Sequence, residues 1–209
     1  EEIVLIAVSK TKSIELIKEA YDVGIINFGE NKAQDLRDKS KLIKGSFNWH
    51  FLGHLQKNKV KYVVETADYI HSVDSLQIAS EINNRALQKG LIKRILIEVN
   101  ASGEETKFGL SNYDSVERLI NECSELENIE VKGLMTMAPY TADEVLIRKT
   151  FEKLREMKEK INRSNKDITE LSMGMTNDYK IAIEEGSTML RIGTAIFGGR
   201  DSSKNWREL

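Results

Sequence analysis

The chain has 209 residues, a length that suits one large α/β domain better than two small ones. Its 31 basic and 33 acidic residues nearly cancel, so net charge gives no reason to expect nucleic acid or an anionic membrane as a partner. Its single cysteine excludes an internal disulfide and a thiolate metal cage and is typical of a reducing compartment, so we expect a cytoplasmic location. No apolar run reaches the roughly 20 residues that a membrane helix needs.

Short β-branched segments alternate with longer amphipathic ones along the whole chain. The predicted strands cover residues 3–8, 26–28, 49–52, 69–72, 94–99, 131–136, 170–172 and 189–192. The predicted helices cover residues 14–23, 76–88, 113–123 and 144–161, with another beginning near residue 178. An alternating pattern permits an open sheet or a closed barrel, and eight repeats favour closure. We therefore predict one domain over residues 1–209, a (β/α)8 TIM barrel with short loops.

Two sequence patterns predict where helices begin. Asp74 stands three residues before Gln77, and Thr141 stands three residues before Glu144. In a capping box, the first residue accepts a hydrogen bond from a first-turn amide while its partner bonds back to it. We therefore expect Asp74 and Thr141 to cap the helices that follow them.

Lys10 follows an apolar strand, which places its amine at the mouth of the predicted barrel. In such barrels, chemistry is found where the strands end. Lys12 would share the same side if the backbone stayed extended, and this second cation would lower the pKa of Lys10. A lysine with a lowered pKa attacks aldehydes more readily, but two ordinary strand-exit lysines fit this segment equally well.

A second cluster of polar residues follows the seventh and eighth predicted strands, where barrels commonly bind phosphate. Arg191 lies on the eighth strand, and Gly193 and Thr194 come directly after it. The glycine lets backbone amides approach a phosphate closely, and the threonine hydroxyl donates a further hydrogen bond. Ser172 adds a hydroxyl from the end of the seventh strand. With Lys10, these residues favour a ligand that carries both a carbonyl group and a phosphate.

Nucleotide and metal sites are less well supported. No G-x-x-x-x-G-K-[ST] motif occurs. His50 and His54 are four residues apart, but they flank Gly53 and have no regularly spaced acidic or cysteine partner, which favours a structural or ligand-shaping role. His71 ends a strand, and the sequence leaves open whether it lines the pocket or packs in the interior. Cys123 is expected to be a packed side chain on a helix outside the pocket.

Five longer motifs occur in order along the chain: AVSKTK at residues 7–12, FGEN at 28–31, WHFLGHLQ at 49–56, GLMTM at 133–137 and SMGM at 172–175. Together they resemble the pyridoxal phosphate homeostasis protein family over nearly the whole chain. The resemblance implies a barrel similar to the N-terminal domain of bacterial alanine racemase. It also implies that pyridoxal 5′-phosphate is held as a Schiff base on Lys10.

The resemblance implies roles for the remaining site residues. Arg191 would donate a hydrogen bond to the pyridine nitrogen, Met137 would pack against the ring, and Asn31 would lie near the ring substituents. The phosphate would be held by Ser172, Gly193 and Thr194. Because arginine donates but does not accept, the nitrogen stays unprotonated and the ring is a weaker electron sink than one paired with aspartate. This arrangement disfavours demanding carbanion chemistry.

Three functions remain open. The leading one is a non-catalytic carrier that maintains intracellular pyridoxal phosphate and delivers it to apo-enzymes. Lys12 and Lys107 are either secondary amines for the transfer or ordinary solvated lysines, and the second interpretation is favoured. The alternative is a pyridoxal-phosphate-dependent amino-acid racemase, which needs a second acid/base that alanine racemase takes from a second domain and a partner subunit. A Schiff-base aldolase for a sugar phosphate needs no cofactor. No long heptad pattern indicates a partner subunit, so we expect a monomer.

The sequence departs from the family pattern in three places. Ser13 stands where proline is common, and Thr176 stands where serine is common. Phe108 follows Lys107 in the loop after the fifth strand. Family members usually carry a helical segment before the first strand, whereas a strand pattern begins almost at once here. Loss of such a helix would expose the bottom of the barrel without altering the cofactor residues.

Overall fold

The protein forms a closed barrel of eight parallel strands, β1 to β8, in chain order. It is represented by a computed structural model that describes residues 2–104, 106–164, 166–199 and 206–208. The strands are β1 Val4–Val8, β2 Asn27–Glu30, β3 Asn48–Phe51, β4 Tyr69–Val73, β5 Lys93–Glu98, β6 Ile129–Met135, β7 Glu170–Ser172 and β8 Met189–Ile192. The barrel closes where β8 pairs with β1, with Ile6 opposite Arg191. The predicted (β/α)8 barrel is confirmed.

Helices follow the strands and cover the outside of the barrel. They are α1 Ile14–Asp22, α2 Ala33–Leu42, α3 Val60–Val63, α4 Leu76–Lys89, α5 Tyr113–Cys123, α6 Glu144–Asn162, α7 Tyr179–Glu184 and α8 Thr194–Phe197. Short 3-10 helices occur at Lys57–Lys59 and Trp206–Glu208. Within the described ranges, no helix combines the length and apolar character needed to cross a membrane.

Helix α2 was not among the helices given bounds from the sequence, because half of its buried residues are charged. Its buried residues include Leu36, but also Asp35 and Lys39. A helix that buries charged groups lacks the apolar stripe that marks a helix in a sequence. The alternating pattern led us to expect a helix after each strand, but its bounds in this segment could not be assigned from an apolar stripe.

Both predicted helix caps were wrong by one or two residues. The N-cap of α4 is Ser75, and Asp74 instead accepts a hydrogen bond from the Ser75 hydroxyl at 3.1 Å. The N-cap of α6 is Asp143, whose Oδ1 accepts from two first-turn amides at 3.0 and 3.1 Å. Thr141 accepts from the backbone N–H of Asp143 at 3.1 Å. Local turns of this kind resemble caps in sequence.

Apolar side chains pack on both faces of the barrel wall. The larger cluster lies between strands and helices and includes Cys123, which is 1 % exposed, as predicted for a packed side chain. The smaller cluster lies on the opposite strand face and fills part of the barrel interior with Ile6, Leu52, Leu96, Met135 and Met189. Polar side chains occupy other interior positions, and these residues lead to the candidate site.

Candidate functional site

A cavity of about 580 Å³ opens where the strands end. Small-molecule sites typically measure roughly 300–1,000 Å³. The lining contains six of the seven residues predicted for the site: Lys10, Asn31, Met137, Arg191, Gly193 and Thr194. It also contains residues that the site prediction did not include, among them Val8, Leu52, Thr176, Asn177 and Asp178.

Lys10 reaches the cavity through a sharp turn at the end of β1. Thr11, the next residue, has a φ of 65° and is the one non-glycine residue with positive φ in the described part of the chain. Threonine rarely adopts this conformation, and such strain is concentrated at functional sites. The turn is closed by a hydrogen bond from the Lys12 N–H to the Ser9 carbonyl at 3.0 Å. This local backbone, not an extended strand, directs Lys10.

A fully buried ion pair lies behind the Lys10 turn. The Lys39 ammonium donates to Glu30 Oε1 at 2.7 Å and to the Ser9 carbonyl at 2.8 Å. The Ser9 hydroxyl also donates to Glu30 Oε1, at 2.8 Å. Burial raises the pKa of Glu30, while the Lys39 ammonium and its hydrogen bond oppose this rise. The pair therefore fixes the backbone of the residue that precedes Lys10.

Lys12 and Lys107 do not share the position of Lys10. The Lys12 ammonium donates to the carbonyls of Phe197, Gly198 and Gly199 at 3.0, 3.2 and 2.8 Å. Lys107 forms an ion pair with Glu104 and donates to the Ala138 carbonyl at 3.1 Å. Both lysines therefore tie loops together at the mouth, and a role as secondary amines in transfer stays a prediction.

Arg191 is buried at the base of the cavity and held by two hydrogen bonds. Its Nη1 donates to Ser172 Oγ at 2.6 Å, and its Nη2 donates to the Thr136 carbonyl at 2.8 Å. Burial lowers the pKa of Arg191 to about 10, an effect that Asp178 and Glu98 oppose. The guanidinium therefore stays charged at neutral pH and presents a fixed cation to the cavity.

Ser172 does not line the cavity. Its side chain is fully buried, and its hydroxyl contacts Arg191 on one side and His71 Nδ1, at 2.9 Å, on the other. The structure thus places Ser172 behind Arg191, where the prediction had it binding phosphate. The loop that follows β7 supplies a cavity hydroxyl from Thr176 instead. Its position after the seventh strand was the available signal in the sequence.

The loops after β7 and β8 form one polar end of the cavity. Gly193 precedes α8 and Thr194 begins it, so backbone N–H groups at the start of this helix lie beside two threonine hydroxyls. Thr176 Oγ1 accepts a hydrogen bond from the Ala195 N–H at 3.4 Å, which joins the two loops. A Cβ added at Gly193 would meet Val8 at ordinary contact distances of 3.4 and 3.5 Å. The fold itself therefore leaves room for a side chain at residue 193.

Asn31 lines the cavity directly after β2, and one of its polar atoms has no partner among the described residues. Asn31 Oδ1 is buried and has no hydrogen-bond partner within the residues that the structure describes. Gly53 packs against the same residue so closely that an added Cβ would lie 2.1 Å from the Asn31 carbonyl oxygen. A buried, open acceptor in a cavity suits a polar ligand.

Two titratable groups close to Arg191 were missed by the sequence analysis. Glu98 ends β5 and is 4 % exposed, and its Oε2 has no partner in the described ranges. Burial raises the pKa of Glu98 to about 7, with a smaller contribution from Asp74. Burial also raises the pKa of Asp178. The acidic residues gave no sequence signal because their burial depends on the closed barrel.

The three histidines do not form a metal site in the structure. His50 and His71 are buried in the barrel interior and bonded to each other, whereas His54 stacks on Phe108 at the surface. Over the described residues, no group of three or more His, Cys, Asp or Glu side chains is arranged to hold a metal ion. His71 lies behind the cavity and not on its wall, so it is buried as part of a polar network.

Sequence and structure comparisons place the chain among known proteins. The family model for the alanine racemase N-terminal domain matches residues 3–201. The pyridoxal phosphate homeostasis protein of Aquifex aeolicus is 42 % identical over 198 residues, which cover 94 % of this chain and 86 % of that protein. The protein of the same name from Escherichia coli is 39 % identical over 211 residues, covering 98 % and 88 %.

Solved structures agree with this placement. PipY of Synechococcus elongatus, solved without pyridoxal phosphate, has a TM-score of 0.89 at 33 % identity and covers 94 % of this chain and 93 % of its own. PipY with pyridoxal phosphate bound has a TM-score of 0.86 at 32 % identity, covering 94 % and 92 %. Alanine racemase of Clostridium difficile shares the fold, with a TM-score of 0.81 at 20 % identity, and 55 % of its length is covered. The chain belongs to the pyridoxal phosphate homeostasis protein family, whose members share the alanine racemase N-terminal domain.

Proposed function

We propose that the protein binds pyridoxal 5′-phosphate as a Schiff base on Lys10 and takes part in its intracellular homeostasis. The observation that carries this proposal is one cavity with an amine at a strand exit, a buried guanidinium at its base and a polar end formed by two loops. Bound pyridoxal phosphate supplies an aldehyde, which condenses with a primary amine with loss of one water molecule. A cavity of about 580 Å³ has room for this cofactor.

The residues fit the cofactor in kind as well as in size. Arg191 keeps N–H groups available at the cavity and has no acceptor atom, so it suits the unprotonated pyridine nitrogen. Met137 is 36 % exposed and offers an apolar surface for the ring. Asn31 offers the open Oδ1 described above. Within this proposal, the phosphate lies at the end formed by Gly193, Thr194 and Thr176.

The relatives support the same ligand. The curated relatives carry the name pyridoxal phosphate homeostasis protein, and one structure of PipY contains bound pyridoxal phosphate. Identity of 32 % to that structure over 94 % of this chain makes a common ligand the simplest expectation. Direct binding of phosphate by Ser172 stays a prediction, and the hydrogen bond that it accepts supports a role in holding Arg191.

The carrier role is the finer part of the proposal. The bond on Lys10 is reversible, because another primary amine can replace the lysine at the same carbon. The protein would thus release the cofactor to apo-enzymes in the cytoplasm without catalysing a reaction of its own. We also propose a monomer in which residues 1–209 form one domain, because the eight strands close the barrel within this chain.

Absorption spectroscopy with mass mapping tests cofactor binding. Purified protein is mixed with pyridoxal phosphate, reduced with borohydride and digested, and the modified peptide is expected to map to Lys10. Lys10→Ala should lose the reducible bond, whereas Lys18→Ala, an exposed lysine of α1, should keep it. Pyridoxal without phosphate should bind more weakly, because the two loops then have no anion to hold. A bond formed equally in Lys10→Ala would refute the assignment.

The carrier and racemase functions differ in turnover. The carrier role predicts that loaded protein activates an apo-enzyme faster than release of pyridoxal phosphate into solution and its rebinding would allow. It also predicts that L-alanine is not racemised. Racemisation that disappears in Lys10→Ala would show the alternative function. Cleavage of a sugar phosphate by protein that acquires no pyridoxal phosphate would indicate an aldolase.

A further inference from the structure

A continuous set of hydrogen bonds crosses the barrel interior from the cavity to the opposite end. We call it the interior network, and it consists of Arg191, Ser172, His71, His50 and Asn27. Arg191 Nη1 to Ser172 Oγ measures 2.6 Å, and Ser172 Oγ to His71 Nδ1 measures 2.9 Å. His71 Nε2 to His50 Nδ1 measures 2.9 Å, and His50 Nε2 to Asn27 Oδ1 measures 3.3 Å.

One assignment of hydrogens gives every group in this network a partner. Arg191 can only donate, so Ser172 Oγ accepts at that contact. His71 Nδ1 is the other contact of the Ser172 hydroxyl among the described residues, so the hydroxyl hydrogen has an acceptor only if Nδ1 is unprotonated. A neutral His71 therefore carries its hydrogen on Nε2 and donates it to His50 Nδ1.

The same reasoning continues to the surface of the barrel. His50 accepts at Nδ1, so its hydrogen lies on Nε2 and points to Asn27 Oδ1. Asn27 is the first residue of β2, and its oxygen also accepts from Asn48 Nδ2 at 3.1 Å. Each donor in the network thus meets an acceptor, and both rings take the tautomer with hydrogen on Nε2.

Burial keeps both imidazoles neutral, which this pattern requires. His50 and His71 are 1 % and 0 % exposed. Burial lowers the pKa of His50 to about 3. Burial also lowers the pKa of His71 well below its usual range, with His50 and the Arg191 cation as lesser causes. The Tyr69 ring stacks on His50 with ring centroids 5.2 Å apart, which holds the ring plane.

We infer that His71 and His50 are positioning residues that aim the Ser172 lone pair at Arg191 and so hold the guanidinium toward the cofactor. This inference rests on the proposed function, because it concerns the Arg191 donor that faces the pyridine nitrogen. Without the His71 acceptor, the Ser172 hydroxyl would have to turn its hydrogen to another partner in a buried environment. The lone pairs would turn with the hydroxyl, which would weaken the hydrogen bond that Arg191 donates to it.

Nitrogen NMR of the ligand-free protein tests the network independently of cofactor binding. The chain has three histidines, so long-range proton–nitrogen correlations can resolve each ring. We expect His50 and His71 as Nε2–H tautomers at neutral pH, with Nδ1 unprotonated in both. A hydrogen on Nδ1 of His71 would overturn the inference. This outcome would leave the Schiff base on Lys10 untouched.

Cofactor titration of paired variants tests the positioning role. His71→Leu removes the acceptor and should weaken pyridoxal phosphate binding by about ten-fold and move the absorption maximum of the bound cofactor. His71→Asn places an amide oxygen near the Nδ1 position and should restore most of the affinity and the wild-type maximum. His54→Asn, which removes the surface histidine, serves as the control.

The outcomes separate the two proposals. Wild-type protein that binds no cofactor would refute the proposed function, while the tautomers would still decide the network. Folded His71→Leu with wild-type affinity and spectrum would refute the positioning role. If His71→Leu does not fold, Ser172→Ala removes the same contact to Arg191 with a smaller change in volume and is expected to give the same spectral shift.

Discussion

Replacement of Lys39 by methionine should destabilise the protein strongly, because it leaves the carboxylate of Glu30 buried without its cation. Both side chains are 0 % exposed, and the ammonium contacts Glu30 Oε1 at 2.7 Å. The Trp206 ring centroid lies 5.1 Å from the same ammonium, so the cation also has an aromatic neighbour. Methionine is one atom shorter than lysine, keeps most of the apolar stem and removes the charge and its hydrogen bonds.

The expected loss follows from the cost of an unpaired buried charge. Removal of one partner from a buried ion pair typically costs about 3–5 kcal/mol in the free energy of unfolding. For a chain of this size, that loss lowers Tm by roughly 6–20 °C. The hydrogen bond to the Ser9 carbonyl disappears as well, so pyridoxal phosphate binding at the adjacent Lys10 should weaken.

The loss should grow as the pH rises. The pKa of Glu30 is already raised in the folded protein, and without Lys39 the two largest opposing influences are gone, so it rises further. A raised carboxyl pKa contributes stability below its unfolded value, and this contribution is lost as the pH climbs through the folded value. The difference between wild type and Lys39→Met should therefore be larger at about pH 8 than at about pH 5.

Urea unfolding followed by far-UV circular dichroism measures these differences. Lys41→Met, an exposed lysine on the same helix, is the matched control and should change little. The double variant Glu30→Gln with Lys39→Met should recover much of the loss, since no buried charge remains. A loss below about 1 kcal/mol for Lys39→Met, or a double variant no more stable than the single one, would refute the reasoning.

Three further predictions address single residues. Glu98→Gln should flatten the pH dependence of the free energy of unfolding. A pKa raised from 4.5 to about 7 makes the wild-type protein lose on the order of 3 kcal/mol of this free energy as the pH rises through that range. If urea unfolding shows the same pH dependence for both proteins, the prediction is wrong. Gly193→Ala should keep wild-type stability, because an added Cβ meets Val8 no closer than 3.4 Å, yet weaken pyridoxal phosphate more than pyridoxal in a titration; equal weakening would argue against phosphate at this loop. Lys12→Met removes the donor to three carbonyls at residues 197–199 and should speed amide hydrogen exchange at the end of α8. An unchanged exchange rate there would show that Lys12 does not hold this segment.

The sequence predicted the elements whose signal is local. The strand at residues 189–192 was placed correctly because its residues are apolar apart from one arginine, and that exception marked the site. Lys10 was singled out because it directly follows an apolar strand, but this segment fits ordinary strand-exit lysines equally well, and the family resemblance carried the assignment. Strand ends are brought together by the barrel topology, so residues far apart in sequence were assigned to one cavity.

The features that the sequence did not predict depend on burial. Lys39 was not singled out in the sequence, because its burial depends on the packing of α2 beside Glu30 of β2. Ser172 was predicted to bind phosphate, and its place at the end of a strand did not indicate which way its side chain faces. The strand ends at Ser172 itself, and its side chain points into the barrel interior, where its hydroxyl contacts Arg191 and His71. Periodicity cannot fix this at a strand end.

The Glu30–Lys39 ion pair and the interior network both end beside the proposed cofactor site. Interiors of (β/α)8 barrels are normally filled by branched apolar residues, and a buried ion pair or histidine pair adds little stability over such packing. Here the Glu30–Lys39 pair ends at the backbone of Ser9, directly before Lys10, while the interior network ends at Arg191. Each system therefore places its polar groups where one end of the proposed cofactor is held. A barrel selected for stability alone would have no reason to bury charge at these two points, which connects both systems to ligand binding.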